Sequence, residues 1–180
     1  MVKKVLLGIG GVLVVAILAV CGLAATKPAT FRVERRTVIA TPPEAVFPHL
    51  EDFHQWAAWS PWEKLDPGMQ KTFGGAARGK GATYAWRGND DVGEGNMTII
   101  ESRPNEQLSI RLEFLKPFAA TNTTMYTLKP QSNGTEITWA MEGPNSFIGK
   151  VMSVFISMDA MIGKDFEEGL ANLKRLSEKK

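Results

Sequence analysis

Cysteine and histidine are scarce in this sequence, whose 180 residues include one cysteine, Cys21, and two histidines. A disulfide framework needs paired cysteines, and a structural zinc site needs several Cys or His ligands at short spacings. The histidines, His49 and His54, are five residues apart, whereas two ligands on one helix face are usually three or four apart. We therefore expect no disulfide framework and no metal site, and no motif in the chain indicates a cofactor.

Acidic residues are absent from the beginning of the chain, because the first of the 19 Asp and Glu residues is Glu34. The chain has 21 Lys and Arg residues, and without Lys3 and Lys4 the remaining 19 equal the acidic residues in number. Binding to nucleic acid needs a basic patch on the folded domain. The charge balance after the first few residues therefore predicts no nucleic-acid partner.

An apolar run without charged residues, Val5 to Ala25, precedes the first acidic residue. As a helix that rises about 1.5 Å per residue it would be roughly 30 Å long, which is the thickness of the hydrocarbon core of a bilayer. The sequence therefore predicts an N-terminal membrane anchor over residues 1–26, crossing the membrane once. Because Lys3 and Lys4 favour a cytoplasmic position for the short tail, we expect the rest of the chain to be extracytoplasmic.

Two other interpretations of this run stay open. Small residues at Ala24 and Ala25 suit a cleaved signal peptide, although the apolar region of such a peptide is usually shorter, at roughly 7–15 residues. Leu18-Ala19-Val20-Cys21 is similar to a lipoprotein attachment site, although such sites usually have a small residue in place of Val20.

The rest of the chain, at 44% hydrophobic and 22% charged residues overall, has the composition of a folded protein. We predict a linker at residues 27–30 and one domain at residues 31–180, a length that suits one buried core. Thr41-Pro42-Pro43-Glu44 predicts the start of a short helix, because proline and an acidic residue favour a first helical turn. Apolar residues recur with period two in seven predicted strands, at residues 31–40, 69–73, 83–87, 95–102, 108–115, 121–128 and 135–142.

A change to helical spacing follows the last predicted strand. From Ile148 to Leu176, apolar residues recur every three or four positions, which predicts one long C-terminal helix that Asn145 or Ser146 could cap. The short turns between the later strands favour antiparallel neighbours. We therefore predict an α+β fold in which a curved antiparallel sheet wraps around the long C-terminal helix.

Tryptophan and methionine are more frequent than a core of this size needs, with five and eight residues. Each buried indole N–H requires an acceptor, and methionine side chains adapt to irregular cavities. These side chains either pack the core or line a pocket for an apolar ligand, and the sequence leaves both interpretations open. The residues that we predict to line such a pocket are Trp59, Trp62, Tyr84, Trp86, Met97, Ile99, Leu112, Phe114, Trp139, Met141, Phe155, Met158 and Ile162.

Several local motifs, together with the order of the elements, resemble one known group of proteins. They include the segments TPPEAVF (41–47), FHQWAAWSPW (53–62), GATYAW (81–86), GTEITW (134–139) and DFEEGLANLK (165–174). Over roughly Phe31 to Leu176 the chain resembles the SRPBCC superfamily, the START-like group that contains polyketide cyclases, dehydrases and lipid carriers. The resemblance implies a helix-grip fold with a cavity between the sheet and the last helix, to which this chain adds the predicted N-terminal transmembrane helix.

The resemblance implies no single mechanism, because one fold serves many functions. We expect a membrane-tethered domain that binds a small hydrophobic ligand, such as a lipid, an isoprenoid or a polyketide-like molecule. One alternative is a polyketide cyclase or dehydratase-like enzyme, for which His54, Tyr84 and Glu142 are the candidate acid/base residues. The other is an interaction module without a ligand.

Overall fold

The computed structural model describes the backbone of residues 2–179 and the side chains of residues 10–179. Its strands and α-helices are α1 (Val2–Ala25), β1 (Thr30–Ile39), α2 (Pro43–Val46), α3 (Pro48–Glu51), β2 (Gln70–Gly75), β3 (Ala82–Arg87), β4 (Glu94–Arg103), β5 (Gln107–Lys116), β6 (Ala120–Gln131), β7 (Gly134–Pro144), α4 (Phe147–Phe155) and α5 (Met158–Ser177). Two 3-10 helices, Phe53–Ala58 and Pro61–Lys64, connect α3 to β2.

One seven-stranded antiparallel sheet forms the framework, with the strand order β1-β7-β6-β5-β4-β3-β2. Each strand from β2 to β6 pairs with the next strand along the chain, as the short connections between them favour. The first strand pairs with the last over its whole length, from Thr30 opposite Pro144 to Ile39 opposite Thr135. A register shift between Ile99 and Glu101 lies in β4, and such irregularities bend a strand. The predicted curved antiparallel sheet is confirmed.

The predicted long C-terminal helix is wrong in one respect, because it is two helices. Ile156 lies between them in an extended conformation, with φ −141° and ψ 129°. Ser157 then begins α5, and its side chain accepts a hydrogen bond from the backbone N–H of Ala160 over 3.1 Å. The predicted cap at Ser146 is confirmed at the start of α4, where its hydroxyl accepts from the N–H of Gly149. Helical periodicity continued across the break because α4 and α5 are both amphipathic.

Helix α5 covers the inner face of the sheet. Its buried residues Phe166, Leu170 and Leu173 belong to the same core cluster as Trp139 of β7. Polar contacts hold the helix to β1: Arg35 pairs with Asp159 in the first turn and with Glu167 at the middle of the helix. Near the last turn, the ammonium group of Lys174 donates to the carbonyl of Val38 over 2.7 Å. The helix is therefore fixed along its length, with its apolar stripe toward the sheet.

Helix α1 has little protein around it. The side chains of Val12, Leu13 and Val15 are all more than half exposed, and the helix contacts α4. Within the described part of the chain, no helix has both the length and the apolar character needed to cross a membrane. The predicted span, Val5 to Ala25, is therefore not supported, and its first residues, 5–9, lie outside those whose side chains are described.

Candidate functional site

A cavity of about 240 Å³ lies between the inner face of the sheet, α5 and the two 3-10 helices. Side chains two positions apart on a strand point to the same face of a sheet, so each strand contributes its residues in alternation. Strands β3 to β7 supply Tyr84, Trp86, Met97, Leu112, Phe114, Thr124, Tyr126, Trp139 and Met141. The period-two pattern of the sequence thus becomes one continuous, mainly aromatic and aliphatic wall.

Most of the predicted ligand-binding residues line this cavity. They are Trp62, Tyr84, Trp86, Met97, Leu112, Phe114, Trp139, Met141 and Ile162. Ile162 reaches the cavity from α5, and Trp62 reaches it from the second 3-10 helix. Their contact with a ligand stays a prediction.

Four of the predicted residues lie elsewhere. Trp59 is fully buried in the core, where its indole N–H donates to the carbonyl of His49 over 3.0 Å. Ile99 is also fully buried, and Met158 packs against the outside of the core cluster. Phe155 lies on α4, a helix that has no buried side chain, and it is 75% exposed. The spacing of residues along a helix or strand predicted which face of the element each side chain occupies. It could not predict whether that face would contact the core, the cavity or solvent.

Eight further residues of the cavity wall were not predicted from the sequence. They are Trp56, Ser60, Glu63, Met69, Val92, Thr124, Tyr126 and Phe166. Thr124 and Tyr126 had a signal, because they alternate with outward residues on β6 in the manner of the predicted wall. Glu63 had none, since a carboxylate in a short 3-10 helix ordinarily faces water.

Glu63 forms a small polar cluster at the cavity wall with Tyr84 and Lys71. The phenol of Tyr84 donates to Glu63 Oε1 over 2.7 Å, and the ammonium group of Lys71 pairs with Glu63 Oε2. The Glu63 side chain is only 8% exposed. Burial, and then the hydrogen bond to Glu63, raises the pKa of Tyr84. Tyr84 therefore stays a neutral phenol whose proton is held by Glu63.

Two polar atoms in the cavity wall have no hydrogen-bond partner among the described residues. They are Tyr126 Oη and Trp139 Nε1, and both are closed off from solvent. The two residues are opposite one another on β6 and β7, with ring centroids 5.0 Å apart. Burial raises the pKa of Tyr126, so this phenol is also neutral. The buried indole of Trp56, by contrast, donates to the carbonyl of Leu50 over 3.1 Å.

The three acid/base candidates are not brought together. Tyr84 lines the cavity, but His54 and Glu142 do not. His54 stacks on Phe73 with ring centroids 4.1 Å apart, and its Nδ1 is 2.9 Å from Asp52 Oδ1. Glu142 is more than half exposed and pairs with Arg32 on the neighbouring strand. Of the three, only Tyr84 is placed to touch a molecule in the cavity.

No group of three or more His, Cys, Asp or Glu side chains that could hold a metal ion occurs among the residues that were described. His49 is partly buried, and burial lowers its pKa. It lies away from the cavity wall, and its carbonyl accepts the hydrogen bond of Trp59.

Comparison with known proteins identifies relatives of this fold. Residues 30–178 match the profile of the family described as polyketide cyclase / dehydrase and lipid transport. A search of curated proteins found none that matches the sequence.

Several solved structures superpose on most of the chain. Protein CV1439 from Chromobacterium violaceum is 20% identical, with a TM-score of 0.56, and the alignment covers 86% of this chain and 100% of that one. The di-domain ARO/CYC protein BexL from the BE-7585A biosynthetic pathway is 13% identical with a TM-score of 0.62, covering 88% of this chain and 53% of its own. DynU16, a protein in the dynemicin biosynthetic locus, is 15% identical with a TM-score of 0.54, covering 80% and 46%. At these identities the likeness shows a shared fold.

Proposed function

This chain belongs to the polyketide cyclase / dehydrase and lipid transport family, and we propose that its cavity binds a small hydrophobic ligand of the lipid, isoprenoid or polyketide class. The wall of the cavity carries the proposal. Tryptophan, methionine, leucine and phenylalanine side chains make up most of it, and few polar groups interrupt them. Binding sites for small apolar molecules have this composition.

The size of the cavity limits what it can hold. Its volume of about 240 Å³ is below the roughly 300–1,000 Å³ of sites for drug-sized ligands. It therefore suits a small molecule, or one end of a longer chain whose remainder lies outside. The methionines Met97 and Met141 in the wall are flexible, so the cavity can adapt to a range of shapes.

Mass spectrometry of molecules extracted from the natively purified protein tests this proposal, together with thermal shifts across a panel of lipids, isoprenoids and aromatic polyketides. Leu112→Trp fills the cavity from β5 and should abolish binding. Leu115→Trp makes the same change on the same strand at a mostly exposed position, and it should leave binding intact. Equal binding by the two variants, or no ligand and no shift with the wild type, would overturn the proposal.

A second candidate function, a polyketide cyclase or dehydratase-like enzyme, is favoured by one observation: a carboxylate, Glu63, lies in the cavity wall beside Tyr84. A buried carboxylate in a cleft is a candidate general base. Incubation with polyketide-like β-ketones, followed by chromatography and mass spectrometry, separates the two functions. An enzyme gives a product that Glu63→Gln no longer forms, whereas a binding protein returns the molecule unchanged.

The position of the protein at a membrane is a further part of the proposal. We propose that the apolar surfaces of α1 and α4 contact a lipid surface. The side chains of Ile148 and Phe155 on α4 are exposed, as are most of the described side chains of α1, which α4 contacts. Lys150 is the only charged residue of α4, and no acidic residue precedes Glu34. Apolar side chains with a few cations suit the surface of anionic lipids.

Flotation of the full chain with vesicles of phosphatidylcholine and phosphatidylglycerol tests that contact. Ile148→Ser should reduce the bound fraction, and Leu65→Ser is the matched control, since both side chains are at least half exposed but Leu65 is outside α1 and α4. Equal loss in both variants would contradict the proposal. A concentration-dependent dimer that Ile148→Ser disrupts, without vesicle binding, would instead favour an interaction module.

A further inference from the structure

Glu63 is the single charged residue among the described residues that line the cavity. It sits in the 3-10 helix Pro61–Lys64, next to Trp62, and its side chain is largely buried. Moving a carboxylate out of water carries a large free-energy cost, which hydrogen bonds and a nearby cation reduce. Tyr84 and Lys71 supply those partners.

Stability alone does not account for this cluster. Apolar residues of similar volume commonly replace a buried ion pair without loss of stability, or with a gain. The rest of the wall is apolar, so an apolar side chain at position 63 would extend it without interruption. A carboxylate in that place therefore points to a role toward whatever occupies the cavity.

The chemistry of the cluster determines that role. An ionised carboxylate only accepts hydrogen bonds, and each of its oxygens can accept more than one. Tyr84 uses its single O–H to donate a hydrogen bond to Glu63, so toward a ligand its oxygen can only accept. The hydroxyl groups of Ser60 and Thr124 in the wall can donate or accept. Glu63 and Tyr84, the two members of the cluster that line the cavity, thus offer acceptors to a ligand and have no free donor. The donors of Tyr126 and Trp139, which have no partner among the described residues, are also in the wall, but their polar atoms are closed off from solvent.

From this geometry we infer that Glu63 selects ligands whose polar end is an uncharged hydrogen-bond donor, such as an aliphatic alcohol or a phenol, over ligands that end in a carboxylate. The inference rests on the proposed function, because it concerns the ligand of the same cavity. An alcohol donates a hydrogen bond to the carboxylate of Glu63 and keeps its chain against the apolar wall.

A carboxylate ligand meets the opposite situation. Two like charges in a poorly hydrated site repel one another strongly, and only one of them can be balanced by a single cation. Lys71 already pairs with Glu63 from the edge strand β2, and it is outside the cavity wall. A second carboxylate would have to be protonated or would have to displace Glu63 from Lys71. Both routes weaken its binding.

Three probes with the same chain and different ends test the inference: 1-decanol, which donates and accepts; 1-methoxydecane, which only accepts; and decanoate, which is charged. Their affinities for the full-length protein, freed of bound lipid, are measured by competition with a fluorescent apolar probe at neutral pH. We expect decanol to bind at least about tenfold more tightly than decanoate, and more tightly than the ether.

Glu63→Gln keeps the shape of the side chain, removes its charge and adds an N–H₂ donor. In this variant the preference for decanol over decanoate should fall to about threefold or less, because decanoate gains a donor and loses a repulsion. Glu142→Gln is the control, since it removes the same charge from an exposed position outside the cavity, and it should keep the wild-type preference. Circular dichroism verifies that both variants are folded.

The wild-type measurement decides the inference even where Glu63→Gln does not fold. Equal or tighter binding of decanoate by the wild type would overturn it, as would a preference that Glu63→Gln leaves unchanged, and either result would leave the apolar cavity as a binding site. Failure of all three probes to displace the fluorescent probe would overturn this inference. Failure of the fluorescent apolar probe itself to bind would count against the proposed function as well.

Discussion

The indole of Trp139 lies flat against the phenyl ring of Phe166, with ring centroids 4.2 Å apart and ring planes 9° from parallel. Trp139 comes from β7 and Phe166 from α5, so this contact joins the sheet to the helix beside the cavity that both residues line. Gly169, one turn further along α5, leaves space for the same indole. A Cβ atom at position 169 would be 2.7 Å from Trp139 Cζ3.

Gly169→Ala should therefore destabilise the protein, by about 1 kcal/mol. Overpacking of a core costs about 1–3 kcal/mol, and it outweighs the roughly 1 kcal/mol that alanine gains over glycine inside a helix. Urea denaturation followed by tryptophan fluorescence measures the change. Gly22→Ala in α1 is the control, because a Cβ atom there meets nothing within 4 Å, and it should cost nothing. A stabilised Gly169→Ala variant would show that the Trp139 ring is free to move.

The two cavity tyrosines should respond in opposite ways to loss of the hydroxyl. Tyr84→Phe removes the donor from a buried carboxylate and should lower the free energy of unfolding by about 1–3 kcal/mol. Tyr126→Phe removes an oxygen that has no described protein partner, so stability should stay the same or rise. Denaturant unfolding of both variants measures the difference. A large loss in Tyr126→Phe would mean that a molecule other than the protein satisfies its hydroxyl.

Acid should weaken the contact between β1 and the start of α5. The hydrogen bond and charge of Arg35 hold the pKa of Asp159 below its ordinary value of 3.8. A lowered pKa means that the stabilisation is fully present above pH 3.8 and is lost as the pH falls through the lower value in the folded state. Asp159→Asn should thus be less stable than the wild type at pH 7, and the difference should shrink below pH 4.

Thermal unfolding of both proteins between pH 7 and pH 3 measures that difference. Because Asp159 is exposed, the effect should be small and should decrease at high salt. Glu142→Gln is a suitable comparison, as this carboxylate pairs with Arg32 and is not joined to α5. A difference between wild type and Asp159→Asn that does not depend on pH would contradict the prediction.

The break between α4 and α5 gives a further prediction. Ser157→Ala removes the side-chain cap of α5 and should lower the free energy of unfolding by about 1 kcal/mol. Ser146→Ala makes the same change at the start of α4, which has no buried side chain, so its effect on global unfolding should be smaller. Equal losses would show that α4 unfolds together with the core.

Several features of the cavity were accessible from the sequence. The alternation of Met97, Leu112 and Trp139 with polar neighbours predicted the face that each would occupy, and all three line the cavity. That prediction succeeded because the side-chain period of a strand is two in any sheet. Trp59 and Trp62 show where it stopped. They are three residues apart in one segment, yet Trp59 is buried in the core and Trp62 lines the cavity.

By itself the sequence determined the seven strands, their antiparallel order through short turns and the helical C-terminal region, because periodicity and turn residues act over a few neighbouring positions. The tertiary structure alone decided that Glu63 enters the cavity with Tyr84 and Lys71, since residues 8 and 21 positions away from it must converge there. It also decided that the helical pattern breaks at Ile156, where α5 turns onto the sheet. Such contacts depend on how whole helices and strands pack against one another, and the periodicity of a short sequence segment does not predict them.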